Sequence, residues 1–156
     1  MAERLSITVF EPEQIAAAAA AGRERHKEER LQLKVDTGMG RLGGRPEDAI
    51  GLARRVAKTE GARLEGLFTH FARADEADRT TTDQQLKTFN QVVDGLQQAG
   101  LRPPLVHAAN SAATLTIREA HFDLVRLGIA MYGLHPSAHC RLPDGSRVHI
   151  ITAPAS

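Results

Sequence analysis

Four apolar runs in this chain each deliver side chains able to do chemistry. "LQLKVD" brings Lys34 and Asp36, and "GLFTH" brings His70. "PLVHAANSAAT" brings His107, Asn110 and Ser111, and "FDLVRLG" brings Arg126. On an extended strand alternate side chains share a face, so Lys34 and Asp36 point the same way, and His70 joins Gly66 and Phe68. Ser111, opening a run of small residues, suits a phosphate. Lys34 and Asp36 can equally be an ion pair at a solvated edge, and a strand-end histidine is often only a structural hydrogen-bonding group. Asn110 or Ser111 can serve as a plain helix N-cap. The acidic "RADEAD" at 73–78 could join His70 and His107 around a metal, but no His-x-His or His-x-x-x-His pair anchors such a site, so no metal is expected. "GMGRLGG" has glycines without dinucleotide-loop spacing, and Arg41 interrupts it.

The elements that must position these groups alternate. Short strands are expected at Ser6–Val9, Leu31–Val35, Leu64–Thr69, Pro104–His107 and Asp123–Arg126. Helical patterns lie between them. "EPEQIAAAAAAG" has Pro12 at a first helical position and Gly22 as a closing residue. "RPEDAIGLARRVAKTEG" places acids early, bases late and Gly61 just past its end. "TDQQLKTFNQVVDGLQQAG" opens with Thr82 and Gln85 in capping-box spacing, with Leu86, Phe89, Val93 and Leu96 on one face. Strand and helix in alternation predict parallel βαβ units, an α/β fold of about five parallel strands with flanking helices. Polar groups at successive strand ends then meet on one rim, where parallel α/β folds and (β/α)₈ barrels build their sites.

Composition narrows the function class. The chain has 156 residues, 42% hydrophobic and 25% charged, with a net charge of +1 and bases scattered among acids. No tryptophan and a single tyrosine, without a basic stripe, argue against nucleic acid. Cys140 is the only cysteine, which excludes an internal disulfide and makes a reducing, cytoplasmic setting the expectation. No apolar run approaches the roughly 20 residues of a membrane span. The charge run "GRERHKEER" at 22–30 reads as a solvated helix end.

Taken together, "LKVDTGMGRLG", "GLFTHFARADE", "HAANSAAT" and "FDLVRLGIAMYGL" resemble the pyridoxal-phosphate-dependent alanine racemases, four motifs in order over roughly Leu5 to Pro136. The resemblance implies a (β/α)₈ TIM-type barrel that carries the cofactor, a second β-rich domain, a homodimer, and interconversion of L- and D-alanine for cell-wall precursors. It implies that Arg126 meets the pyridine nitrogen. Because an arginine stays protonated, that nitrogen would stay unprotonated, favouring reprotonation at Cα over transamination. It further implies that Ser111, with Gly128 and Ile129, holds the phosphate beside Asn110, and that His70 packs near the ring. Lys34 would be carbamylated, becoming an anion that holds Arg41 toward the substrate carboxylate. Carbamylation needs a neutral amine, so burial should lower the pKa of Lys34.

Two groups of that family have no match here. No Val-Lys-Ala-x-Ala-Tyr-Gly-His-Gly type segment precedes "SITVF", and Lys27 sits in the charge run. Tyr132 belongs to "MYGL" and does not match the catalytic tyrosine. The expectation is therefore a partial barrel domain over 1–137, about five of eight strands, followed by a divergent tail over 138–156. Such a chain should be inactive alone and prone to associate through unpaired sheet edges. A non-catalytic cofactor- or partner-binding remnant, or one half of a split racemase, is the alternative.

Overall fold

A single parallel sheet with strand order β1-β2-β3-β4 organises the chain in a computed structural model that describes residues 5–141 and 145–146. The strands are β1 (Ser6–Val9), β2 (Glu29–Lys34), β3 (Ala62–Phe68) and β4 (Leu105–His107). Helices α1 (Pro12–Glu24), α2 (Ala49–Lys58) and α3 (Thr80–Gln98) connect them, and the short α4 (Ser111–Thr116) follows β4. Strand spatial order equals chain order, as it does in a barrel wound one βα unit after another.

The register separates two faces. Val9, Leu33, Leu67 and Val106 lie in one row and are fully buried, packed with Ile15, Val56, Phe89 and Leu96 from the three long helices. The opposite face carries Thr8 beside Gln32, and Lys34 beside Phe68 and His107. Apolar side chains thus pay for folding on the helix side, while the other face keeps its polar groups toward the strand ends.

Five details differ from the sequence reading. Asp123–Arg126 is not a strand, and the described residues contain four strands rather than five. The segment does run beside β4, with Asp123 N–H donating to Val106 O and Arg126 N–H to Ala109 O. However, the Asp123 carboxylate itself takes the Val106 N–H at 2.8 Å, the donor a strand ladder would need, and also binds Arg102 at 2.7 Å. β2 and β3 each begin two residues earlier than expected and stop one residue earlier, at Lys34 and Phe68. Gly22 does not close α1, which continues to Glu24. It sits where a Cβ would come within 2.1 Å of Gly61 O, so it permits the approach of the next crossover. Thr82 and Gln85 form no capping box, because α3 starts at Thr80 and both are buried inside it. Val92 takes the buried place on that helix, while Val93 is only partly buried against the same core.

Pro12 does occupy a first helical position, and Gly61, with φ of +91°, follows α2 as expected. The 73–78 loop is held by an Arg73–Glu76 ion pair and by the Asp78 carboxylate accepting from Thr80 N–H. Among the described residues no three His, Cys, Asp or Glu side chains converge as a metal requires, and no helix is long and apolar enough to cross a membrane. Leu124, Leu127, Ile129, Met131, Tyr132 and Leu134 expose large apolar surfaces along one short segment. Of the 138–156 tail, residues 142–144 and 147–156 lie outside the described residues.

Candidate functional site

The loop after β2 is built around Asp36. Its carboxylate accepts from the N–H groups of Gly38, Met39 and Gly40 at 2.7–2.9 Å, and therefore does not serve as an ion-pair partner for Lys34. Burial pushes the Asp36 carboxyl up, but these amides and that of Arg41 outweigh it and hold the group below its ordinary value. The chain then turns back, with Gly44 N–H donating to Lys34 O and Asp36 N–H to Gly44 O. Lys34 is left 8% exposed, its ammonium 5.8 Å from the centre of the Phe68 ring. Arg41 projects from the exposed tip of this loop.

Arg126 is the centre of the rim. Its Nη2 donates to Thr69 O at 2.8 Å and Ala108 O at 3.0 Å and reaches His70 Nδ1 at 3.2 Å; Nη1 meets His107 Nδ1 at 2.5 Å. One guanidinium thus ties together the ends of β3 and β4. Phe68 stacks on His107 with ring centres 4.8 Å apart and also lies 5.3 Å from the guanidinium carbon.

Ser111 anchors the next corner. Its Oγ accepts from Gly128 N–H at 2.8 Å and Ala130 N–H at 3.4 Å, so the hydroxyl and the 128–130 turn sit together. Asn110 is the N-cap of α4, its Oδ1 accepting from Ala113 N–H at 3.0 Å. A cavity of about 320 Å³ opens here, lined by His70, Asn110, Ser111 and Ile129 together with Met39 and Pro136. Lys34, Arg126 and Gly128 are not among the lining residues, but Arg126 touches His70 and Gly128 touches Ser111, which are.

The groups that shift Lys34 and His70 are mostly cationic. Lys34 is lowered by burial first, then by Arg41, against a raising influence of Asp36. His70 is lowered by burial and then by Arg126, Arg41 and Lys34. His107 is pushed down to about 4 by burial and Arg126, so it is neutral at pH 7. Burial alone pulls Arg126 down to about 10, which leaves it protonated. Lys34, Arg41 and Arg126 therefore act on one another at this rim, while the Asp36 carboxylate is spent on its own loop and Asp75 is the acidic residue of the cavity lining. Such a site can hold an anion.

The donor set also tests the cofactor that the sequence motifs imply. A hydroxyl and turn amides at one end match a phosphate. A half-buried, protonated guanidinium lies beside His70, which lines the cavity. Its hydrogen bonds to Thr69, His70, His107 and Ala108 use the two terminal nitrogens, so the Nε–H can meet a ring nitrogen. The residues fit.

Sequence reading missed the part that five polar residues play in holding this rim. Gln85 (1% exposed) accepts from Ala72 N–H at 2.9 Å and donates to Thr37 Oγ1 at 3.3 Å and to His70 O at 3.1 Å. Thr37 and Thr69 share a 2.7 Å hydrogen bond. Glu65 and Gln32 meet on the inner face at 3.2 Å. The available signal was a Glu and a Gln set inside otherwise apolar strand sequence, since such groups are rarely buried unpaired.

A parallel part-barrel with its polar groups gathered at one rim defines the class: an α/β domain whose candidate site lies at the C-terminal ends of its strands. The family model for the alanine racemase N-terminal domain matches residues 1–136. Alanine racemase of Desulfovibrio desulfuricans is 41% identical over 143 residues, which is 92% of this chain and 38% of that protein. The solved alanine racemase of Streptomyces coelicolor superposes with a TM-score of 0.83 at 41% identity, covering 92% of this chain and 39% of that one. The Bacillus anthracis alanine racemase with bound L-Ala-P gives a TM-score of 0.80 at 36% identity, covering 95% and 38%. The chain belongs to the alanine racemase N-terminal domain family, and its fold is a portion of that family's TIM-type barrel. It spans less than two-fifths of the length of these relatives.

Proposed function

We propose that this chain is the cofactor-holding portion of a pyridoxal-phosphate-dependent alanine racemase, and that the 156-residue polypeptide does not racemise alanine by itself. The observation that carries the reading is Arg126, fixed by two backbone carbonyls and two imidazoles between the β3 and β4 ends. Bound there, pyridoxal phosphate would supply electron withdrawal from Cα of an amino acid. Ser111 and the backbone at Gly128 and Ile129 hold its phosphate, with Asn110 keeping α4 in place beside them. Arg126 donates to the ring nitrogen without giving up its proton, since its pKa near 10 stays well above neutrality. His70, neutral under the influence of burial and Arg126, packs beside the ring.

Lys34 and Arg41 form the substrate side of the proposal. A lysine whose burial and cationic neighbours favour the neutral amine can add CO₂, and the carbamate formed is an anion. That anion draws Arg41 inward from the loop tip, where it faces the carboxylate of alanine. Racemisation takes a proton-transfer group on each face of Cα. Neither Lys34, in carbamate form, nor Tyr132, 77% exposed in its own turn, fills such a place. The groups on both faces, and the dimer in which they meet, belong to the whole enzyme.

The test uses the purified chain. Titration with pyridoxal phosphate should give saturable binding, weakened at least tenfold by Arg126→Ala or Ser111→Ala, about the loss of one charge-assisted hydrogen bond. D-Alanine should not form from L-alanine, and borohydride should leave no phosphopyridoxyl-lysine. Equal affinity in the Arg126 variant would refute the site; D-alanine formation would refute the inactivity.

A further inference from the structure

We infer that Gln32 and Glu65, given room by Gly66, are positioning residues that hold His107 in its Nε2–H tautomer and so aim Arg126. The inference takes its functional meaning from the proposed role of Arg126, but its test does not depend on that role.

The chain of hydrogen bonds starts at a bulge. β2 pairs Leu31 with Leu64 and then Gln32 with Gly66, so Glu65 is an extra residue in β3. The bulge turns its carboxylate into the strip beside Ser6, Arg30, Gln32 and Arg63, with the side chain only 12% exposed. The Ser6 hydroxyl, then Gln32 and the two arginines, keep this carboxyl below its ordinary range against the effect of burial. An ionised carboxylate only accepts. Gln32 must therefore present its NH₂ to Glu65, which it does at 3.2 Å, and its oxygen to the other side. That oxygen lies 3.1 Å from His107 Nε2. An amide oxygen also only accepts, so Nε2 carries the hydrogen and Nδ1 keeps its lone pair.

The other end demands the same assignment independently. Arg126 has donors and no acceptor, and its Nη1 is 2.5 Å from His107 Nδ1. Only an unprotonated Nδ1 fits. A hydrogen on Nδ1 would face an N–H, and the guanidinium would have to leave. The donor directions run without conflict from Arg126 to His107 to Gln32 to Glu65.

Gly66 makes the path possible. A Cβ at this position would come within 1.9 Å of Gln32 Oε1 and 2.6 Å of Cδ, so the amide lies directly over the glycine. Because the obstructing atoms are the end of a flexible side chain, an alanine there is accommodated by displacing Gln32, with the backbone intact. The charged and titratable groups around the imidazole are Arg126 itself, Lys34 and His70 at the neighbouring strand ends, and Glu65 reached through Gln32.

The experiment is ¹⁵N–¹H NMR of the full 156-residue chain without cofactor. The expected spectrum has a one-bond signal for His107 Nε2–H, none at its Nδ1, and resolved Arg126 guanidinium signals from restricted rotation. Gln32→Met and Gly66→Ala should each abolish the Nε2–H signal through solvent exchange and merge the Arg126 signals, with the remaining backbone spectrum unchanged. Pyridoxal phosphate affinity should fall about tenfold in both, the worth of a lost aiming hydrogen bond. A hydrogen found on Nδ1 in the wild type would overturn the inference, as would Arg126 signals unaltered in both variants. If the NMR changes appear but no form binds pyridoxal phosphate, the tautomer lock stands and the proposed role of Arg126 fails.

Discussion

Gln85→Leu is the substitution that tests how the rim is held. Gln85 projects from α3 to three places at once: the Ala72 N–H, the His70 carbonyl and the Thr37 hydroxyl. Leucine matches its size and is at home on a helix, so neither packing nor propensity should dominate. Thr37 keeps Thr69 as a partner at 2.7 Å, which leaves two backbone groups orphaned, the Ala72 N–H and the His70 C=O. At about 1–3 kcal/mol for each unsatisfied group, less some apolar burial regained by leucine, the expected loss is about 2–4 kcal/mol. With a urea m-value of about 2 kcal/mol/M, the unfolding midpoint followed by circular dichroism should drop by about 1–2 M. Amide exchange should rise at Ala72 and the neighbouring loop while the β2 and β3 amides retain their relative protection. A midpoint within about 0.3 M of wild type would refute the reasoning, because it would mean that the loops carrying Thr37 and His70 are positioned without this amide.

Acid should destabilise the chain in two stages. His107 and His70 both have folded pKa values below their ordinary 6.5, so their contribution is present above that pH and is lost as pH falls below it; for His107 the loss runs down to about 4 and reaches about 3 kcal/mol. Asp36 and Glu65, also lowered, add their loss only below their ordinary 3.8 and 4.5; urea midpoints between pH 7 and 3 read both stages, and His107→Gln should flatten the first. Intact-mass analysis in bicarbonate should show one added CO₂ on Lys34, absent in Lys34→Arg and lost on acidification. Gly43→Ala should cost about 2 kcal/mol or more in thermal unfolding, since φ is +133° and a Cβ would lie 2.6 Å from the Asp36 nitrogen.

The order of elements was legible because helix and strand signals are local. Pro12, the acids of "PED" and Gly61 mark ends that the backbone obeys. The rim was legible for another reason: parallel winding sends every strand's C-terminal end to one side, so polar residues there must meet. What stayed hidden depends on partners distant in sequence. Asp123 looks like the start of a strand until its carboxylate is seen on Val106 N–H. Gln85 looks like half of a capping box until its amide is found 15 residues back, on His70 O. Gly22 looks like a helix stop until the carbonyl of Gly61 is placed against it. In each case a local rule was satisfied by the sequence and then outbid by a backbone group that only the folded chain supplies. Of the site residues, Asn110 shows most plainly how the two readings coexist, since the same side chain that lines the cavity is committed to capping α4.

The electrostatics of the rim explain why a lysine and an aspartate were placed together without pairing. Had Asp36 bound Lys34, the pair would have been neutral and the amine locked in its ammonium form. Instead the three amides of the loop consume the carboxylate, and the loop they shape carries Arg41. The remaining charges, Lys34, Arg41 and Arg126, depress the basicity of the histidine and the amine among them. Like charges gathered in a half-buried place are costly unless something negative arrives. A phosphate beside Ser111, a carboxylate facing Arg41 and a carbamate on Lys34 would each answer that cost. The glycine loop of "DTGMGRLGG" thus takes one negative charge, that of Asp36, out of play, and Lys34 keeps its place at the rim without an ion-pair partner in that loop.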